Sequence, residues 1–276
     1  MLEFQNFDRR SYIDAGGCRL FIAEPQDANV MQPAIVLVPG AYHGAWCYSH
    51  YLDFFEQQAV DAYAVDLPGH GSLAAGCRLD VGIDALGRHL AQACAALDRR
   101  VVLVGHSMGA LPVMLAAAQI RPAGVVLLAP SPPGNLPGAL ALPPVPADRL
   151  RPPPSEAEVH KRFLGTTTPV DASEVMARMR GESPAVLNDR YQLRVAVDAS
   201  AIDCPGVCIE AGRDCADRHP EGQDRAVAEF LGLEYLLLAE QPHCMMYGSH
   251  WQESAEVLLD WYRRTFCTDT ASAGMP

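Results

Sequence analysis

The stretch VVLVGHSMGAL at 101–111 constrains this chain more than any other. Its four leading aliphatic residues read as a strand buried on both faces, the kind found inside a parallel sheet. The run stops at Gly105, and Gly105-His106-Ser107-Met108-Gly109 leads into ALPVMLAAA, which reads as a helix packed on that sheet. A strand that turns so sharply into a helix needs glycine where the two backbones meet, because a Cβ would collide there. In that setting G-x-S-x-G is a turn that lifts a serine Oγ out at the carboxyl end of the strand. The following N–H then sits at a helix N-terminus, where negative charge is favoured. The five-residue pattern is weak by itself, since glycine and serine are common. The strand before it and the helix after it make it specific.

The rest of the chain repeats this alternation without an internal repeat. Strands are expected at 20–23, 34–38, 62–66, 101–104, 125–129, 207–210 and 235–238. Helices are expected at 48–58, 83–97, 108–119, 221–231 and 251–265, which makes βα units and a mostly parallel sheet. A chain of 276 residues can carry one large core with an insertion. The insertion is expected at 131–200, where no strand pattern occurs. It opens with APSPPGNLPGALALPPVPADRLRPPP, in which proline repeatedly removes backbone donors and fixes φ. Helical patterns follow at 156–164, 171–179 and 184–195. The expected division is a core of 1–130 and 201–267, a helical cap of 131–200 acting as a lid, and a tail at 268–276.

Composition narrows the partners. With 49% hydrophobic and 20% charged residues, the chain is an ordinary globular one. Its formal net charge of −12 speaks against nucleic acid or an anionic membrane as partner, since both need a basic footprint. The opening MLEFQNFDRR lacks an apolar export region and no run is long enough to span a bilayer, so a cytoplasmic protein is expected. The nine cysteines, an odd number, read as reduced thiols. Cys204 and Cys208 lack a second pair and read as small packed residues rather than zinc ligands. Neither a metal nor an organic cofactor is expected.

A serine hydroxyl is a poor nucleophile until a base takes its proton and an acid orients that base. In this architecture the chain order is serine, acid, histidine. The strand 207–210 runs into Ala211-Gly212-Arg213-Asp214, and His243 lies in a loop after the strand 235–238. Both fall at the sheet edge where open α/β folds bind ligands. Asp217 competes for the acid's place; Asp214 is preferred because it lies nearer the strand end and is held more rigidly. His219 and His250 read as solvated, and His89 as part of a surface helix. The oxyanion donors are expected to be the Met108 N–H and the Ala41 N–H, because Gly40 in LVPGAYHGAW permits a tight turn. His43, Trp46, Leu140, Phe163 and Met245 are candidates for the substrate pocket, which is expected to favour uncharged, largely apolar acyl groups.

Taken together, IVLVPGAYHGAW, AYAVDLPGHGS, VVLVGHSMGA, IEAGRDCADRHP and the loop carrying His243 resemble the α/β-hydrolase fold superfamily. HGAWCY and GHSMGA are similar to the branch that holds plant methylesterases and hydroxynitrile lyases. The lyases carry a threonine where this chain has Gly40 and a lysine where it has Cys244, so the resemblance implies hydrolysis rather than cyanohydrin cleavage. The family's acid loop usually reaches proline four residues after the aspartate, whereas Pro220 here lies six after Asp214 and three after Asp217. The resemblance implies an α/β fold with a mostly parallel sheet flanked by helices and an inserted helical cap. It implies a serine hydrolase acting on a small-molecule carboxylic ester or lactone through Ser107, His243 and Asp214. A thioesterase or acyltransferase using the same triad is the alternative, kept open by the local cluster Arg149, Arg151, His160, Lys161 and Arg162. A cofactor-free oxygenase or a ligand receptor on the same core is a third reading, separated from the others by whether Ser107 reacts. Oligomeric state is not set by the sequence.

Overall fold

The computed structural model describes residues 4, 6–23, 25, 29–165 and 172–267. Eight strands form one sheet: β1 (Tyr12–Ala15), β2 (Cys18–Ala23), β3 (Ala34–Val38), β4 (Ala62–Asp66), β5 (Val101–His106), β6 (Gly124–Leu128), β7 (Gly206–Ala211) and β8 (Glu234–Leu238), in the spatial order 1-2-4-3-5-6-7-8. Strands β3 to β8 run parallel, and β1 and β2 pair antiparallel at one edge. Every residue of β3, β5 and β6 is buried, as central strands covered on both faces must be. One face carries α1 (Ser49–Gln57) and α8 (Trp251–Phe266); the other carries α2 (Ile83–Ala95), α3 (Ala110–Ile120) and α7 (Gln223–Leu231). Among the described residues no helix is long and apolar enough to cross a membrane, and all nine cysteines are free.

Most expected elements recur within a few residues, and the differences have local causes. Strand β1 was not anticipated, because its residues are nearly all exposed and show no apolar alternation. The hairpin turn Gly16-Gly17, with φ of 59° and 85°, was the available signal. Helix α3 starts at Ala110 rather than 108, since Ser107–Gly109 form a tight 3-10 turn first. Between β6 and β7 the proline-rich stretch contains neither helix nor strand. It is followed by α4 (Glu156–Val159), a π-helical turn His160–Leu164, α5 (Ser173–Arg178) and α6 (Pro184–Tyr191). A Ser155–Glu158 capping box starts α4, and Gly165 at φ 53° ends the π turn. Asp171 and the tail at 268–276 lie outside the described residues.

One buried carboxylate ties the segment between β6 and β7 to the sheet. Glu182 Oε2 accepts from the Tyr42 N–H at 2.9 Å and lies 3.0 Å from His70 Nε2, while Oε1 accepts from the Ser183 N–H at 2.9 Å. The Arg180 N–H donates to the Tyr42 carbonyl at 3.0 Å, so both backbone groups of Tyr42 are held from this segment. Burial works to lower the His70 pKa, but the Glu182 carboxylate outweighs it and the net shift is upward. Burial likewise works to raise Glu182, and His70 with the Tyr42 and Ser183 amides brings it below its ordinary value. The His70 contribution is complete below its ordinary value of 6.5 and fades as pH rises through the raised one. The Glu182 contribution is complete above its ordinary value of 4.5 and fades as pH falls through the lowered one. The pair therefore stabilises most between those two values. Glu182→Gln is expected to cost on the order of 2 kcal/mol by urea unfolding at about pH 5.5, and measurably less at about pH 9. An equal loss at both would mean that the pair is not charged in the folded protein.

Candidate active site

Ser107 has a φ of 52°, a left-handed conformation that a residue with a Cβ adopts only where its surroundings enforce it. The surroundings here are close-packed backbone. A Cβ on Gly105 would lie 2.7 Å from Ala110 Cα, and one on Gly109 would lie 2.3 Å from the Pro39 carbonyl oxygen. The Ser107 carbonyl accepts from the Ser131 N–H at 2.9 Å, which fixes the turn from the loop after β6. Ser107 is thereby raised at the carboxyl edge of the sheet, with Met108 at the start of the helical turn.

His243 meets it there. Its Nε2 lies 2.9 Å from Ser107 Oγ and its Nδ1 lies 2.5 Å from Asp214 Oδ2. A carboxylate can only accept, so Nδ1–H donates to Asp214 and Nε2 is left to accept from the serine hydroxyl. Asp214 also takes the Cys215 N–H on Oδ1 at 2.6 Å. Burial pushes the Asp214 carboxyl up, but the His243 and His219 rings and the Cys215 amide outweigh it and hold it below the ordinary carboxylate value. Asp217 is elsewhere: its side chain is 74% exposed and pairs with Lys161 at 3.1 Å. His106 holds the third member in place, since its Nε2–H donates to the His243 carbonyl at 2.9 Å.

The loop after β3 lies against the same turn. A Cβ on Gly40 would stand 3.0 Å from Ser107 Cβ, a tight contact that a glycine relieves where the loop passes the turn. Asp66, buried at the end of β4, takes the Ala45 N–H and the Ser72 N–H at 2.6 Å each and so locks this loop to the one after β4. Gly71 is required beside it, since a Cβ there would fall 1.9 Å from Asp66 Oδ1. His43 Nδ1–H donates to the Ala41 carbonyl at 2.8 Å, leaving Nε2 to accept from the Tyr247 hydroxyl at 2.9 Å. Burial pushes His43 down to about 4, so it stays neutral.

Over Ser107 lies a cleft that is partly open to solvent. Ala41, Met108, His43 and Phe163 line it together with Ser107, Asp214 and His243. Three other candidates do not. Trp46 is buried in the core, stacked on the back of His43 at 5.2 Å between centroids. Met245 is fully buried beneath the His243 loop, because Cys244 through Tyr247 fold inward. Leu140 is 60% exposed on the proline-rich stretch, away from the cleft. His219 is not solvated as expected: its side chain is 8% exposed, with Nδ1 3.7 Å from both Asp214 and Asp224. His89 is half-buried, with Nδ1 2.7 Å from the Gly16 carbonyl. The sequence reading passed over one wall altogether. Leu187, Arg190 and Tyr191 of α6 line the cleft at the i, i+3, i+4 spacing of a single helix face. Arg162 and Arg218 add two more cations. Asp214, His219 and His243 offer three potential metal-ligand atoms within 4.8 Å of one another. A metal on Nδ1 of His243 would displace the proton shared with Asp214, so the geometry fits the hydrogen bond better.

The comparisons agree with this architecture. The alpha/beta hydrolase family model matches residues 35–257. An N-formylmaleamate deformylase of Pseudomonas putida is 36% identical over 111 residues, which span 40% of this chain and 41% of the deformylase. The fold is similar to that of tomato methylketone synthase I, with a TM-score of 0.67 at 18% identity over 85% of this chain and 99% of that one. It is similar to Arabidopsis methylesterase MES16, with a TM-score of 0.63 at 19% identity over 83% and 98%. An N-acyl homoserine lactonase, AidH, gives 0.69 at 14% identity over 95% and 98%. The match of the family model over most of the chain is decisive, and the chain belongs to the alpha/beta hydrolase family.

Proposed function

We propose that this protein is a serine hydrolase that cleaves a carboxylic ester or lactone through an acyl-enzyme intermediate. The observation that carries the reading is the continuous line from Asp214 through His243 to Ser107 Oγ, at 2.5 and 2.9 Å, on a residue held at φ 52°. His243 Nε2 takes the Ser107 proton as Oγ attacks the carbonyl carbon. Asp214 stabilises the imidazolium that forms. The Ala41 and Met108 amides bind the oxyanion, which is where preorganised donors contribute most to rate. The C–O bond to the leaving group then breaks and the alcohol leaves with the proton from Nε2. Water repeats the sequence on the acyl carbon, giving its proton to Nε2 and releasing the acid and free Ser107. The names of the relatives, a deformylase, a methylesterase and a lactonase, suit attack on an acyl carbon. The thioester alternative rested on the basic cluster around Lys161, and that lysine is an exposed partner of Asp217.

The segment 131–200 is proposed as the cap over this site. It supplies Phe163, Leu187 and Tyr191 as the apolar wall and Ser131 as the support of the elbow.

Ser107→Ala should leave the far-ultraviolet circular dichroism unchanged and lower kcat on p-nitrophenyl esters by on the order of 10⁴ or more. Near-normal turnover would remove Ser107 from the mechanism.

Asp214→Asn should cost roughly 10⁴ in kcat by stabilising the wrong His243 tautomer, while Asp217→Asn should leave kcat within about twofold. If the large loss falls on Asp217, the acid has been misassigned.

A further inference from the structure

Arg190 is a buried cation without a counter-charge. It is 7% exposed and makes no ion pair among the described residues. Its Nε–H donates to Ser131 Oγ at 3.1 Å and its Nη2 to the Arg218 carbonyl at 3.1 Å; Nη1 is buried with no hydrogen-bond partner. Two neutral acceptors leave most of a five-donor fork unused, and apart from the Tyr191 ring 5.9 Å from the guanidinium no group offsets the charge. A buried arginine is stable when a carboxylate meets it, and a missing partner is expensive. No carboxylate of the described chain fills that place. Asp214 is the only acidic residue on the cleft wall, and it is committed to His243.

A second observation points the same way. The chain carries a net charge of −12, yet its cleft presents Arg162, Arg190 and Arg218. Arg162 Nε is also buried without a partner, while its Nη1 pairs with Glu158 Oε1 at 3.7 Å. The adjoining outer cavity adds Arg151 and Lys161 to Arg162 and Arg218, against Glu158 and Asp217. A cleft whose lining carries an excess of one sign of charge concentrates ligands of the other. Burial, with Arg218 and Arg162 close by, pushes Arg190 down to about 10, the direction expected of a cation among cations.

Position decides what the anion is. Ser131 joins the two centres: its N–H holds the Ser107 carbonyl at 2.9 Å and its Oγ holds Arg190. The guanidinium and the nucleophile thus line the same cleft, with Ser131 between them. We infer that the substrate is a short acyl compound bearing a free carboxylate, held by Arg190 while its scissile carbonyl meets Ser107. A planar fork suits a carboxylate, and bidentate pairing fixes orientation as well as charge. Because Nη1 is buried, engagement needs a local shift of the side chains that cover it. The inference rests on the serine hydrolase reading and departs from the expectation of an uncharged, apolar substrate. That expectation rests on the apolar residues of the segment 131–200 and on the net charge of the whole chain.

The test compares mono-p-nitrophenyl succinate with p-nitrophenyl butyrate, with spontaneous hydrolysis subtracted. In the unmodified protein kcat/KM should favour the succinate ester by about tenfold or more, the scale of a hydrogen bond to a charged group. In Arg190→Gln that ratio should fall to about one, carried chiefly by KM. Arg190→Lys, which keeps the charge but not the fork, should fall between and serves if the glutamine variant does not fold. Equal or better turnover of the butyrate ester by the unmodified protein would overturn the inference. So would a preference for butyryl-coenzyme A over p-nitrophenyl butyrate without one for the succinate ester, since the anion would then belong to the leaving group. A calorimetric titration of Ser107→Ala with monomethyl succinate separates binding from chemistry. Binding that Arg190→Gln weakens at least about tenfold, with no ester turned over by the unmodified protein, would support the carboxylate site and overturn the hydrolase reading. Absence of that binding alongside ester turnover would do the reverse.

Discussion

The left-handed backbone at Ser107 is the constraint on which the site depends. An L-residue with a side chain occupies that region at a cost on the order of 1–3 kcal/mol, so the structure around it has to over-determine the turn. Three contacts do so. Gly105 lets the strand pass Ala110, Gly109 lets the helix start against the Pro39 carbonyl, and Ser131 caps the Ser107 carbonyl from the loop after β6. These come from β3, β5, α3 and β6, the most buried parts of the sheet. The sheet can hold a strained residue because it is parallel and covered on both faces, which leaves its strands little room to relax.

The loop that would hold the oxyanion is fixed by a different device, buried carboxylates accepting backbone N–H groups. Asp66 takes Ala45 and Ser72, and Glu182 takes Tyr42 and Ser183. Asp66 belongs to the sheet, but Glu182 comes from the segment between β6 and β7. Tyr42 also sits at φ 68°, held by Glu182 on its N–H and Arg180 on its carbonyl. The placement of Ala41 therefore depends on residues far along the chain. In the proposed mechanism the cap is a structural part of the oxyanion site as well as its cover.

How much was legible in the sequence follows from how local each determinant is. The elbow is written in nine contiguous residues, and Gly105, Ser107 and Gly109 are each explained by atoms within a turn of them or on the adjacent strand. The candidates His243 and Asp214, which the fold brings into contact, are legible from strand ends, a topological rule that needs only the order of elements. The family's proline spacing pointed toward Asp217, but a residue farther along the loop had room to turn outward to Lys161. The walls of the cleft were less legible. Leu140, Trp46 and Met245 are apolar and near the right motifs, but their neighbours decide whether they face the cleft, the core or solvent, and those neighbours are distant in sequence. Arg190 escapes notice and His219 reads as solvated for a related reason. Arg190 lies in an expected helix, but its partners Ser131 and Arg218 are far away in sequence, and His219 is enclosed between Asp214 and Asp224 only because the loop folds back on itself.

The central claim is that Ser107 is a nucleophile activated by the line of hydrogen bonds to Asp214. The most direct measurement is peptide-mapped mass spectrometry after reaction with a fluorophosphonate, which adds one organophosphoryl group to an activated serine without requiring the true substrate. The account predicts complete, single-site labelling on Ser107, and its abolition in His243→Ala. No labelling, or labelling on another residue, would contradict it.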